Sequence, residues 1–91
     1  MLRITSGKGF QMTFANGWTI SVQFGAGNYC DNRSMSTTSA SDQLAGEEGS
    51  ANAEIAAWDK DGKWHDFGAD QVKGWQTPDE VAAFIADIAN R

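Results

Sequence analysis

The alternation of apolar and polar residues from Lys8 to Phe24 is the feature that most constrains how this chain can fold. Apolar side chains recur at every second position on both sides of Asn16-Gly17. This period of two is typical of strands with one buried face. The apolar positions are Phe10, Met12 and Phe14 before the turn, and Trp18, Ile20, Val22 and Phe24 after it. The segment is therefore predicted to form two antiparallel strands.

The hydrophobic pattern also selects the turn between these strands. A two-residue Asn16-Gly17 turn would pair Ala15 with Trp18 and would place the two apolar rows on opposite faces. A three-residue loop, Ala15 to Gly17, pairs Phe14 with Trp18 and keeps both rows on one face. This loop needs Gly17 in the left-handed conformation of a bulged turn, which glycine adopts at little cost. We therefore predict the three-residue loop.

A second hairpin is predicted from Ala53 to Phe67, turning through Lys60-Asp61-Gly62. The same register sets Trp58 opposite Trp64 and Asp59 opposite Lys63, an aromatic pair and an opposite-charge pair. Its faces carry Ile55, Ala57 and Phe67 on one side and the two tryptophans on the other. We expect the helix to cover one face, and the loop between the hairpins or a partner to cover the other. A short extended piece is predicted from Gln71 to Trp75.

The clearest local signal is Thr77-Pro78-Asp79-Glu80, which predicts the start of a helix. Thr77 is suited to the N-cap, Pro78 to the first helical position, and Glu80 completes a capping box. Val81, Phe84, Ile85 and Ile88 follow as one apolar stripe. The 91 residues leave room for one core. The sequence thus predicts a single α+β domain, residues 1–91, in which a C-terminal helix covers an antiparallel sheet of two hairpins and a short extra strand.

Residues 25–52, between the hairpins, interrupt both patterns. Half of these 28 positions are Gly, Ser, Thr or Asn, and Tyr29, Met35 and Leu44 are the large apolar exceptions. A long polar loop in a compact domain is either functional or disordered. Its polar groups and Tyr29 would suit a recognition surface, although a solvated loop has the same composition. One helical turn is expected at Ser41–Ala45.

Composition limits the classes of partner. Twelve acidic and seven basic residues give a formal net charge of −5, which disfavours nucleic acid and acidic membrane surfaces. A partner protein with a basic surface would be complementary, although solubility alone also explains an acidic balance. Cys30 is the single cysteine, which favours a reducing compartment. No signal peptide or membrane-spanning stretch is evident, so we expect a cytoplasmic protein.

The residues that could carry chemistry form no convincing catalytic or metal-binding pattern. Asp59-Lys60-Asp61-Gly62 lacks the third acidic ligand and the distal glutamate of a calcium loop, and is interpreted as a hairpin tip. Cys30 and His65 could act together only if the fold brought them within hydrogen-bond reach. We therefore expect no enzymatic activity, no metal and no cofactor, with structural or surface roles for both residues.

Two sets of binding residues are predicted. The partner-binding set lies in the long loop and comprises Asn28, Tyr29, Asp31, Arg33, Asp42, Glu47 and Glu48. The alternative set is an anion pocket at the open end of the first hairpin, where glycine amides and two cations would hold a nucleotide-like molecule. It comprises Lys8, Gly9, Gly25, Gly27, Tyr29 and Arg33. Strand-end turns are the simpler interpretation of these glycines. A homo-oligomer is compatible with either set.

Three segments resemble a family of short bacteriophage and prophage proteins that has no assigned activity. They are Ile4-Thr5-Ser6-Gly7-Lys8-Gly9-Phe10, Phe14-Ala15-Asn16-Gly17-Trp18-Thr19-Ile20-Ser21-Val22-Gln23-Phe24-Gly25 and Gly27-Asn28-Tyr29-Cys30-Asp31-Asn32. The similarity extends to Ala57-Trp58-Asp59 and the C-terminal helix. It implies a bacteriophage context, and small acidic proteins of that kind often occupy a host protein or sequester a signalling molecule. We therefore expect a non-enzymatic inhibitor of host defence or metabolism. A nucleotide-like sponge or a minor virion or assembly protein is the alternative.

Overall fold

A computed structural model describes residues 1–5, 8–25, 28–31 and 50–91. Within these ranges, five antiparallel strands form one sheet in the order β1-β2-β3-β4-β5, followed by a helix. The strands are β1 (Leu2–Ile4), β2 (Gly9–Thr13), β3 (Thr19–Gln23), β4 (Ala53–Trp58) and β5 (Lys73–Gln76), and the helix is α1 (Pro78–Ala89). The predicted α+β class with a C-terminal helix is therefore confirmed.

The first hairpin has the predicted register. Phe10 pairs with Val22 and Met12 pairs with Ile20, so the two apolar rows share one face. The backbone N–H of Phe14 donates to the carbonyl of Trp18 at 2.8 Å. Gly17 has a φ of 88°, the left-handed conformation that the three-residue loop requires. Burial of one face therefore selected the turn, as the alternation predicted.

The N-terminal strand β1 was not predicted. It pairs with β2 along the outer side of the first hairpin, with Leu2 opposite Met12 and Ile4 opposite Phe10. Both of its apolar side chains lie on the helix-facing side of the sheet, yet Leu2 is 74% and Ile4 is 82% exposed. A three-residue strand is too short to show an alternating pattern, and pairing with β2 defines it instead.

The second hairpin is only partly as predicted. Trp58 and Trp64 form an isolated bridge, and the N–H of Asp59 donates to the carbonyl of Lys63 at 2.9 Å, as the register required. Gly62 has a φ of 82° at the tip. The predicted return strand to Phe67 is wrong, because no strand follows Trp64 before β5 among the described residues.

Two segments share the edge of β4, so the chain after Trp64 does not continue as a strand. The N–H of His65 still donates to the carbonyl of Ala57 at 2.8 Å. The chain then turns at Gly68, where φ is 115° and the Gly68 N–H donates to Asp66 Oδ1 at 2.7 Å. Beside the other end of β4, β5 pairs through Ala53–Gln76 and Ile55–Lys73. The piece predicted to be extended at residues 71–75 thus forms β5, which begins two residues later and ends one residue later than predicted.

The helix begins as predicted. Thr77 is its N-cap, and the Thr77 hydroxyl and the Glu80 carboxylate each accept a backbone N–H of the other residue. The apolar stripe faces the sheet, where Ile88, Ile20 and Ile55 are each at most 2% exposed. Complete burial of such side chains stabilises a fold by about 1.5–3 kcal/mol each. The helix-facing side of the sheet therefore holds the core.

The end of α1 is held by the first hairpin turn. Asn16 Nδ2 donates to the carbonyls of Ile88 at 2.9 Å, Ala89 at 3.3 Å and Arg91 at 3.3 Å. Asn16 Oδ1 accepts the N–H of Trp18 at 3.0 Å. A single turn residue thus satisfies backbone groups of the hairpin and of a helix end that is more than 70 residues away in sequence.

Candidate functional site

The long loop is described at its two ends. The N–H of Asp31 donates to Asn52 Oδ1 at 2.8 Å, and the N–H of Tyr29 donates to Glu54 Oε2 at 2.8 Å. Residues 28–31 therefore run beside the start of β4. The predicted binding residues Gly27, Arg33, Asp42, Glu47 and Glu48 lie outside the described residues, as does the helical turn predicted at 41–45.

Tyr29, a predicted binding residue, meets an aromatic residue that the sequence did not single out. Its ring packs against Trp75 of β5 with the ring centroids 5.8 Å apart and the planes inclined by 31°. Both rings remain accessible, since Tyr29 is 45% and Trp75 is 50% exposed. Together with Asp70, Val72 and Gly74 they line a cleft of about 360 Å³, the Tyr29–Trp75 cleft. This volume is at the low end of the range for small-ligand sites, roughly 300–1,000 Å³.

Trp75 is held in an unfavourable backbone conformation. Its φ is 52°, and among the described residues it alone is a non-glycine with positive φ. Such a conformation costs about 1–3 kcal/mol and persists only where surrounding contacts enforce it. The N–H of Trp75 donates to the carbonyl of Tyr29 at 2.9 Å, and the pairing of β4 with β5 shifts register between Ala53 and Ile55. The loop end and the bulge therefore hold the backbone of Trp75 in this conformation.

Gly74 allows the loop end to approach β5. A Cβ atom at Gly74 would lie 2.6 Å from Tyr29 Cβ and 2.9 Å from the Tyr29 carbonyl oxygen. Real Cβ contacts are longer than this, so a side chain here would displace residue 29. The pairing of Tyr29 with Trp75 thus depends on a glycine immediately before the tryptophan.

The other described members of the partner-binding set have different surroundings. Asn28 is half-buried, and its Nδ2 donates to the carbonyl of Phe24 at 3.2 Å, which stabilises the turn after β3. Asp31 is exposed. Two acidic residues lie close to the aromatic pair: Glu54, whose Oε2 accepts the Tyr29 N–H, and Asp70, which lines the cleft.

Three residues of the alternative anion-binding set lie near one another. Lys8, Gly9 and Gly25 meet at the open end of the first hairpin, where the N–H of Phe24 donates to the carbonyl of Lys8 at 2.8 Å. Gly9 lies so close to β3 that a Cβ there would be 2.0 Å from the Val22 carbonyl oxygen. The Lys8 N–H donates to the carbonyl of Thr5 at 2.8 Å. These contacts are those of strand-end turns, in which backbone groups pair with one another.

Cys30 and His65 have separate packing environments. Cys30 is buried, and its Sγ lies 3.8 Å from the Gly25 carbonyl oxygen and 3.6 Å from that of Asn28. The His65 ring packs against Phe67 at 4.7 Å and Phe84 at 5.8 Å between centroids. The predicted structural role is thus compatible with the contacts of both residues.

The hairpin tip 59–62 is organised by hydrogen bonds within the turn. Asp59 Oδ1 accepts the N–H of Asp61 and the N–H of Lys63, each at 2.9 Å. Across the described ranges, no group of three or more His, Cys, Asp or Glu residues is placed to hold a metal ion. Within the same ranges, no helix is long and apolar enough to cross a membrane.

Sequence reasoning missed Trp75, Gly74, Val72 and Asp70 as a site. The only signal was an aromatic residue after a glycine in a short extended piece, which does not distinguish a core residue from an exposed one. Comparison with known proteins adds no assignment, because no family model, curated protein or solved structure matches this chain.

Proposed function

We propose that this chain is a non-enzymatic binding protein that occupies the surface of a partner protein through the Tyr29–Trp75 cleft. The observation that carries the proposal is the exposed aromatic pair held by a strained backbone at Trp75. A protein gains no stability from holding a tryptophan half-exposed at a cost of about 1–3 kcal/mol. Tyrosine and tryptophan dominate the energetic centres of protein interfaces, which fits such an arrangement.

The surrounding charge favours a basic partner. The net charge is −5, Asp70 lines the cleft, and Glu54 Oε2 accepts the N–H of Tyr29. Acidic groups at an interface accelerate association with a basic surface and lose this effect as salt screens them. The resemblance to bacteriophage proteins leads us to propose that the partner is a host protein, whose defence or metabolic role would be inhibited by occupancy.

The test is capture of a partner from bacterial lysate by the 91-residue chain, with variants at two exposed tryptophans. Trp75→Gly removes the ring without a backbone penalty at positive φ. Trp64→Ala is the matched control, because Trp64 is 40% exposed and packs on Trp58 instead, at 4.9 Å between centroids. We expect Trp75→Gly and Tyr29→Ala to abolish capture and Trp64→Ala to retain it. Capture that survives both cleft variants would refute the proposal.

A salt series provides a second readout. We expect the captured complex to weaken as ionic strength rises, since exposed charges separated by more than the Debye length, about 8 Å at 0.15 M, are screened. An affinity that does not change with salt would argue against acidic steering.

A further inference from the structure

The Tyr29–Trp75 cleft restricts the shape of its occupant. The ring centroids are 5.8 Å apart. A planar group sandwiched between two rings would need about 7 Å, two contact distances of roughly 3.5 Å. A bound group must therefore lie across the outer, exposed ring faces rather than between the rings.

The negative charge in the cleft favours binding of a positively charged group. Asp70 lines it, and none of the described residues in the lining is basic. Lys73 is exposed and lies between Val72 and Gly74 in the sequence, but it is not part of the lining. A positive group beside an aromatic face gains from the ring quadrupole, and an adjacent carboxylate adds to that attraction.

The chain itself contains this type of contact. The Arg91 guanidinium lies 4.9 Å from the Trp18 ring centroid, and Arg91 Nη2 pairs with Asp87 Oδ2 at 3.1 Å. A planar guanidinium can thus stack on an indole and pair with a carboxylate at once, which the compact ammonium of lysine does less well. Trp75 and Asp70 offer the same two partners on an exposed surface.

We infer that the Tyr29–Trp75 cleft binds an arginine side chain that the partner protein presents, with the guanidinium over the Trp75 face and paired to Asp70. This inference rests on the proposed function and specifies the partner group that the cleft recognises. Tyr29 supplies the second wall, and Val72 contacts the aliphatic part of the arginine side chain.

The test is an NMR titration of the 91-residue chain with two tripeptides at constant ionic strength. One peptide is acetyl-Gly-Arg-Gly-amide, and the other replaces arginine by citrulline, which has nearly the same shape but no charge. The readout is the indole N–H resonance of Trp75, identified by its absence in Trp75→Phe. We expect the arginine peptide to bind about 3- to 30-fold more tightly, from a cation–π contact and an exposed ion pair.

Two isosteric variants distinguish the effect of the carboxylate in the cleft from the effect of the protein's net charge. Asp70→Asn is expected to reduce the preference for arginine over citrulline to the part that the cation–π contact with Trp75 supplies. Asp61→Asn makes the same change in net charge at the exposed hairpin tip and is expected to keep the preference. Equal binding of both peptides, an equal loss in both variants, or no shift of the Trp75 resonance would overturn the inference.

The capture experiment distinguishes this inference from the proposed function. If capture requires Trp75 but is unchanged by Asp70→Asn and by competing arginine peptide, the arginine site is refuted and the binding surface stands. If capture requires neither Tyr29 nor Trp75, the proposed function itself fails.

Discussion

Replacement of Asn16 should uncouple the first hairpin turn from the end of α1. Its Nδ2 donates to three helix-terminal carbonyls, of which the Ile88 oxygen is nearest at 2.9 Å, and its Oδ1 accepts the Trp18 N–H. Each net hydrogen bond contributes about 0.5–1.5 kcal/mol. Counting the nearest helix contact and the turn contact, we expect Asn16→Ala to lower the free energy of unfolding by about 1–3 kcal/mol. The melting temperature would fall by roughly 4–8 °C for each kcal/mol.

Asn16→Asp tests the direction of the hydrogen bonds. The variant keeps the acceptor for the Trp18 N–H but loses the donor, and it places negative charge at the negative end of the helix dipole. That unfavourable charge costs about 0.3–1 kcal/mol in addition to the lost helix contact. When the new carboxyl is protonated it can donate to the carbonyls again, so its pKa is raised in the folded state.

The sign of the pH dependence follows from that raised pKa. The folded chain binds the proton more tightly than the unfolded chain, so the variant loses stability as the pH rises through the titration of the new carboxyl and regains it as the pH falls. Urea unfolding followed by circular dichroism, from pH 7 to pH 3, measures the stability of Asn16→Asp relative to Asn16→Ala. Gln71→Glu controls for an added charge at an exposed position. A pH-independent difference between the two Asn16 variants, or a loss below about 0.3 kcal/mol for Asn16→Ala, would refute the reasoning.

Four further predictions concern the cleft and the helix start. The free energy of unfolding, measured by chemical denaturation, should be about 0.5–1 kcal/mol larger for Trp75→Gly than for Trp75→Ala, because only glycine adopts positive φ without strain. A Trp75→Gly variant less stable than Trp75→Ala would contradict the positive φ at this position. Gly74→Ala should separate the Tyr29 and Trp75 rings and abolish the nuclear Overhauser contacts between them, whereas retained contacts would contradict the close approach. Thr77→Ala should cost about 1 kcal/mol through the lost N-cap. Hydrogen bonds from Thr77 hold the pKa of Glu80 below its usual value of 4.5. The ionised Glu80 carboxylate therefore contributes to the free energy of unfolding above pH 4.5, and this contribution declines as the pH falls through the folded-state pKa. The stability difference between wild type and Glu80→Gln should shrink correspondingly in acid, and a constant difference would contradict it.

Local patterns predicted the parts of the fold whose partners are near in sequence. The register of β2 and β3 followed from the alternation around Asn16-Gly17, and the start of α1 from its capping box. The return strand to Phe67 was overpredicted, because the sequence does not reveal that β5 competes for the same edge of β4. Strand pairing is a competition between segments, and a single apolar run does not decide it.

Half of the cleft could be anticipated from the sequence. Tyr29 stood out as an amphipathic ring in a polar loop, but Trp75 is 46 residues further along the chain and meets it only in the folded sheet. The positive φ of Trp75 and the place of Asp70 in the cleft lining likewise exist only in the folded sheet. None of these features has a local sequence signature.

The sequence by itself determined the strand alternation, the three-residue turn and the capped helix, since each depends on side-chain periodicity and on backbone preferences within a few residues. Only the tertiary structure decided that Asn16 holds the far end of that helix, and that Tyr29 and Trp75 form one exposed pair. The physical reason is that these contacts join groups far apart in the chain, and their geometry exists only after the core has brought the sheet, the helix and the loop end together.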